Sequence, residues 1–167
     1  MLFGLIPLTT FAQNNVLGKG FSYHASSEAI MSDGEHAPFW LTSNRHGLES
    51  VEKSSAFFAT GITKELLMDN NKPWEWGGGA DFVVASDHTS TFFIQQLYAD
   101  VRYKSAVMTL GQKEHKMEMK NNELSSGSQT LGINSRPYPE IRLSLPKYWN
   151  VPGTNGFLGL KGHIAFG

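Results

Sequence analysis

The sequence predicts an all-β protein of consecutive antiparallel hairpins, and three features point to it. Seventeen glycines and seven prolines against only 17% charged residues suit many short strands joined by turns rather than long helices. Several stretches alternate apolar and polar residues with a period of two, the mark of a strand with two unlike faces. Aromatic residues gather near the ends of these stretches, among them Trp74, Trp76, Phe92, Phe93, Tyr103, Tyr148 and Trp149.

Taken in order, residues 1–8 form a short apolar run, and Thr10 and Ala12 are the small residues a signal peptidase requires ahead of a cut between Ala12 and Gln13. Residues 1–12 are therefore read as a signal peptide, with a buried N-terminal strand as the alternative, and residues 13–167 as part of a β-barrel domain. No Lys or Arg precedes Lys19, so the basic start of such a peptide is read as lost. Residues 21–30 alternate, and the MSDGE stretch at 31–35 reads as a turn. Residues 36–42 carry Pro38, which suits an edge, a strand start or an extended loop, and SNRHG at 43–47 is a further turn.

Residues 55–68 place Phe58, Thr60, Ile62, Leu66 and Met68 on one face, interrupted by Lys64, and DNNKP at 69–73 closes the strand. Residues 74–87 set Ala80, Phe82 and Val84 against Asp81 and Asp87. Gly77, Gly78 and Gly79 lie within this strand and mark a bend or a close approach. Residues 91–104 alternate most clearly, with Phe93, Leu97, Ala99, Val101 and Tyr103 opposite Gln96, Tyr98, Asp100 and Arg102. The theme returns at 107–112 with Met108 and Leu110, at 141–145 with Ile141, Leu143 and Leu145, and at 157–166 with Leu158, Leu160, Ile164 and Phe166.

Composition excludes some functions. The net charge is -1 and no basic block exists, so a nucleic-acid partner held by phosphate contacts is not expected. Without cysteine there is neither a disulfide framework nor a thiolate metal site. No apolar run is long enough for a membrane helix, so only a barrel of strands would span a bilayer. Two all-β architectures fit the alternation: an outer-membrane barrel with apolar residues in lipid, or a soluble exported β-sandwich with apolar residues in a core. Strands of ten residues or more and aromatics at their ends favour the up-and-down barrel, which also removes exposed edges.

The least generic text lies at residues 123–153. Pro137 and Pro139 hold residues 134–139 in a stiff extended course before alternation resumes at Ile141. Arg136 offers a planar fork of donors, and Asn134 both a donor and an acceptor. Arg136 is expected either to pin a loop by pairing with Glu123 or Glu140, or to contact a glycan directly. Tyr138, Tyr148 and Trp149 supply aromatic faces for a sugar or for a membrane interface.

Leu110-Gly111-Gln112, the Ser/Gly segment at 125–128 and the segment 131–141 (LGINSRPYPEI), together with HAPFWLTSNRHGL at 36–48, resemble the capsule assembly Wzi family in its Bacteroides-type versions. The family pairs a GGQ-like strand end with a later S-x-N-[AS]-R-P-x-P segment. The resemblance implies a large outer-membrane barrel that binds or organises capsular polysaccharide without catalysis, between outer-membrane lipid and the glycan. It puts Gln112, Glu123, Asn134, Arg136, Tyr138, Tyr148 and Trp149 in a glycan-binding or lumenal network, with no cofactor. At 167 residues the chain supplies roughly eight or nine strands, about half such a barrel, so an N-terminal fragment with an open sheet is expected.

Catalytic patterns are weaker. His24, Glu35, His36, His46, Asp87, His88, Glu114 and His115 lack an H-E-x-x-H spacing. Ser50 with Lys53 and Ser144 with Lys147 match S-x-x-K, which needs one helical face, and Pro146 forbids a helix interior at the second. A barrel hydrolase using Ser126 and His115 is the more distant alternative.

Overall fold

The computed structural model describes residues 10–14, 20–67, 72–115 and 133–167. Among the described residues, eight strands form one antiparallel sheet in strict chain order: β1 (Thr10–Asn14), β2 (Phe21–His36), β3 (Glu52–Lys64), β4 (Trp74–Ser86), β5 (Phe92–Tyr103), β6 (Ala106–Gln112), β7 (Pro139–Asn150) and β8 (Gly159–Phe166). The sheet is all-β and up-and-down, as the alternation predicts, and it is open, with β1 and β8 at its two edges. A single helical turn, α1 (Phe39–Thr42), interrupts the β2–β3 connection.

The two ends of the sheet differ. At one, the turn end, the connections are residues 65–73, the two-residue step from Tyr103 to Ala106, and residues 151–158. At the other, the loop end, they are residues 37–51, 87–91 and 113–138.

The two faces differ more. Asp81, Asp100, Arg102, Thr109 and Glu140 lie on the covered, inner face, where Asp100 and Glu140 are 3% and 5% exposed. Phe58, Ile62, Phe82, Ile94, Leu97, Met108, Leu110, Ile141, Leu143, Ile164 and Phe166 lie on the bare, outer face, where Leu97 is 53% exposed and Phe166 82%. The apolar core is small. It consists of Phe57, Ala59, Val83, Ala85 and Phe93 on the inner face near the loop end, with Leu48 of the 37–51 connection packed on it.

Three local expectations are corrected. The MSDGE stretch is not a turn: β2 continues to His36 and absorbs it in a register shift between Met31 and His36. Such an irregularity inserts unpaired residues without ending the strand, so turn-forming residues need not reverse the chain. Residues 39–42 form the helical turn α1 rather than extended chain, while Pro38 ahead of it, at φ -59° and ψ 133°, is extended as expected. Phe93 lies on the inner face, not beside Leu97. A bulge in β5 pairs Asp81 with Gln96 but Phe82 with Ile94, so the alternation changes phase there.

Glycine supports close approach at two places. A Cβ on Gly111, whose φ is +113°, would stand 2.3 Å from the Leu97 carbonyl oxygen. The neighbouring Gln112 carboxamide donates to the carbonyls of Ile94 and Gln95, both at 3.2 Å. Gly111 and Gln112 together clamp the β5 bulge, which gives a physical reason for glycine and glutamine at this strand end. On β4, a Cβ on Gly79 would stand 2.7 Å from the Tyr98 ring, so the triple-glycine run is a close-packing site.

Candidate functional site

Period-two geometry assembles the inner-face charges, because every second residue of neighbouring strands points the same way. Asp100 on β5 accepts a 2.6 Å hydrogen bond from Thr109 on β6 and pairs with Lys113, whose ammonium also lies 4.5 Å from the Tyr98 ring centre. On β7, Glu140 accepts from Arg142 Nε at 2.7 Å, while His115 Nε2 stands 2.5 Å away. Asp81 faces His24 at 3.4 Å and accepts from Gln96. At the turn end, Arg102 donates to the carbonyls of Lys72 and Lys104, each at 3.0 Å. Lys64 contacts Glu75 at 3.1 Å and lies 4.2 Å from the Trp76 ring centre. Lys64, Asp100 and Glu140 thus meet opposite charges, Asp81 meets a histidine and Arg102 is held by backbone carbonyls, conditions under which charge tolerates burial.

Two loop segments fold over this face at the loop end. Left-handed backbone at Asn44, His46 and Gly47 turns the 43–47 segment inward, as the sequence predicts for SNRHG. There Arg45 meets Glu28 at 3.6 Å, and the His46 carbonyl accepts from Gln95 at 3.0 Å. Glu114 ties to the same group, accepting from Gln95 Nε2 at 2.7 Å while His46 Nε2 stands 4.0 Å away. The second segment, residues 133–136, docks on the first. The His46 amide donates to the Ile133 carbonyl at 2.7 Å, and the Asn44 amide to Asn134 Oδ1 at 2.5 Å. Arg136 lays its guanidinium 4.6 Å from the Phe93 ring centre.

Between these loops and the 87–91 turn lies a cleft of about 570 Å³. Glu49, Glu52, Asp87, His88 and Arg136 contribute its charged and titratable walls, and Ser50 and Thr89 its hydroxyls. Burial and the nearby Glu28 carboxylate push the Glu49 carboxyl up to about 7, with Arg45 opposing. Burial holds the His115 imidazole below its ordinary value, although Glu140 pulls it the other way.

The predicted site residues divide into two groups. Gln112, Asn134, Arg136 and Tyr138 gather at the loop end. Tyr148 and Trp149 stand at the far end of β7, about 30 Å along the strand from Tyr138. The two aromatics therefore do not share a contact site with Arg136. Glu123, Ser126, the Ser/Gly segment at 125–128 and residues 1–9 of the signal peptide lie outside the described residues. The pairing of Arg136 with Glu140 is replaced, since Glu140 serves His115 and Arg142. Ser50 accepts from the Glu52 amide at 3.2 Å and Ser144 donates to the Val107 carbonyl at 3.3 Å, both beside or within strands.

Sequence reasoning missed Glu28, Arg45 and Glu49, which meet only through the fold of the 37–51 connection. It placed Asp100 on the polar face of its strand but passed over Arg142, which period-two position alone would have placed on the same face. No family model, curated protein or solved structure matches the chain.

Proposed function

We propose that this sheet is part of an outer-membrane β-barrel that binds or organises surface polysaccharide at its loop end. One observation carries the membrane half of the reading: the face rich in carboxylates and guanidinium is covered, and the face rich in Leu, Ile, Val and Phe is bare. A sheet in water buries its apolar face, whereas a barrel in lipid turns that face outward and keeps charge in the lumen. From Trp74 to Val84 along β4 the bare face runs about 34 Å, which at a tilt near 45° covers about 25 Å of bilayer.

Aromatic pairs flank it. Trp74 and Tyr103 stack at 4.5 Å on the turn end, and Phe82 and Phe92 at 6.3 Å towards the loop end, as interfacial girdles require. Short connections mark the periplasmic side of such barrels and long ones the extracellular side, so the loop end faces out. The glycan half rests on the resemblance of the 36–48 and 131–141 segments to the capsule assembly family. Both segments reach the loop-end cleft, through Gly47 and Arg136. Binding would be non-covalent, with weak contacts to repeated sugars gaining strength through multivalency.

The test has two arms. The protein should remain with membranes through carbonate extraction and migrate differently on gels before and after heating. Release as a soluble species would refute the barrel. Retention of surface polysaccharide on immobilised protein should fall on Arg136→Ala, and unchanged retention would refute this site.

A further inference from the structure

We propose that the loop-end cleft is a subsite for an uncharged sugar unit and that it turns acidic glycans away. The inference rests on the glycan-binding reading above and names the class of ligand. Its basis is the charge of the walls: Glu52 and Asp87, with Glu49 partly ionised at neutral pH, line the space against the single guanidinium of Arg136. That guanidinium is already stacked on Phe93, which leaves its edge for the cleft. A uronate or phosphate would meet like charge from Glu52 and Asp87, both solvent-exposed, a repulsion that salt screens.

A neutral sugar meets the opposite situation. Its hydroxyls donate to carboxylates in charge-assisted bonds, and Ser50 and Thr89 add hydroxyl partners. A space of about 570 Å³ falls within the range of small-ligand sites. Two buried polar atoms on its lining residues, Glu49 Oε1 and His88 Nδ1, have no hydrogen-bond partner among the described residues. The raised carboxyl of Glu49 adds a group that donates as well as accepts near neutral pH. On the same connection Phe39 and Trp40 are each 74% exposed, flat surfaces on which the C–H face of a sugar ring can lie.

The experiment is binding of the wild-type protein to immobilised oligosaccharides of equal length, neutral in one set and bearing uronate or phosphate in the other. Neutral oligomers should bind and acidic ones should not. Asp87→Asn keeps a residue type tolerant of its left-handed backbone, and Glu52→Gln keeps its shape. Each should weaken neutral binding about tenfold and raise acidic binding. Trp40→Ala, at an exposed position, gives an independent loss without touching the cleft's fold. Preference for acidic oligomers, or neutral binding indifferent to all three variants, would overturn this inference while leaving glycan binding standing. Failure to bind either set would overturn the glycan-binding reading itself.

Discussion

Replacing Leu97 by arginine separates a lipid-facing sheet from a water-facing one. Leu97 stands near the middle of β5, between Ala80 on β4 and Gln112 on β6, with 53% of its surface exposed on the outer face. In water, a substitution at so open a position changes stability by about 0.5 kcal/mol or less. At the midplane of a bilayer, arginine on the lipid face costs about 2–4 kcal/mol, and near the interface about 0–1. Tyr103→Arg, at the end of the same strand and on the same face, is therefore the matched control. The difference between the two variants, about 1–4 kcal/mol, should shift the folding equilibrium about fivefold to several-hundredfold. Guanidinium titration of the protein folded into phospholipid vesicles, followed by tryptophan fluorescence, measures both. Equal midpoints for Leu97→Arg and Tyr103→Arg would refute the assignment of the outer face to lipid.

Other consequences follow from individual contacts. Gly111→Ala forces a left-handed backbone on alanine and drives its Cβ to 2.3 Å from the Leu97 carbonyl oxygen, so it should cost about 1–3 kcal/mol or more in the same titration. Gln112→Ala removes two bonds to the bulge and should cost about 1–3 kcal/mol, with backbone exchange at Ile94 and Gln95 rising first. The folded protein holds the Glu49 proton more tightly than the unfolded chain, so stability at this site is fully present below pH 4.5 and falls as pH rises to about 7. Glu49→Gln should abolish that fall, so its gain over wild type appears above pH 4.5, grows to about pH 7 and stays constant beyond, read from melting temperatures across pH. Arg136→Ala should lose about 0.5–2 kcal/mol of packing on Phe93, and Arg136→Lys should recover only part of it.

Strand positions were legible wherever alternation was unbroken. Residues 74–87 and 107–112 fall on β4 and β6 almost residue for residue, because side-chain direction in a strand depends only on parity. Legibility failed where the backbone slips by a residue. Phe93 looked like a neighbour of Leu97, and the bulge held by Gly111 and Gln112 moves it to the other face. The prolines at 137 and 139 marked the approach to β7, which begins at Pro139, but the chain bends at Asn134 and Ser135 instead of staying extended from 134. That Asn134 serves the Asn44 amide, some 90 positions away, had no local sign. The acid pair Glu28 and Glu49 was equally silent, since it needs a strand and a loop to meet.

The sequence alone determined the class, the chain-order hairpins and, wherever no bulge intervenes, which side chains share a face, because a period of two carries that much without tertiary contact. It did not determine which face is covered. Alternation is symmetric: the same row of Leu, Ile and Phe serves a core or a lipid boundary equally well. Tertiary structure broke the symmetry when neighbouring strands and the Lys113–His115 segment paired the carboxylates of one face and the 43–47 and 133–136 segments folded over its loop end, leaving the apolar face bare. The loop-end cleft is a product of that closure, built by contacts far apart in the chain.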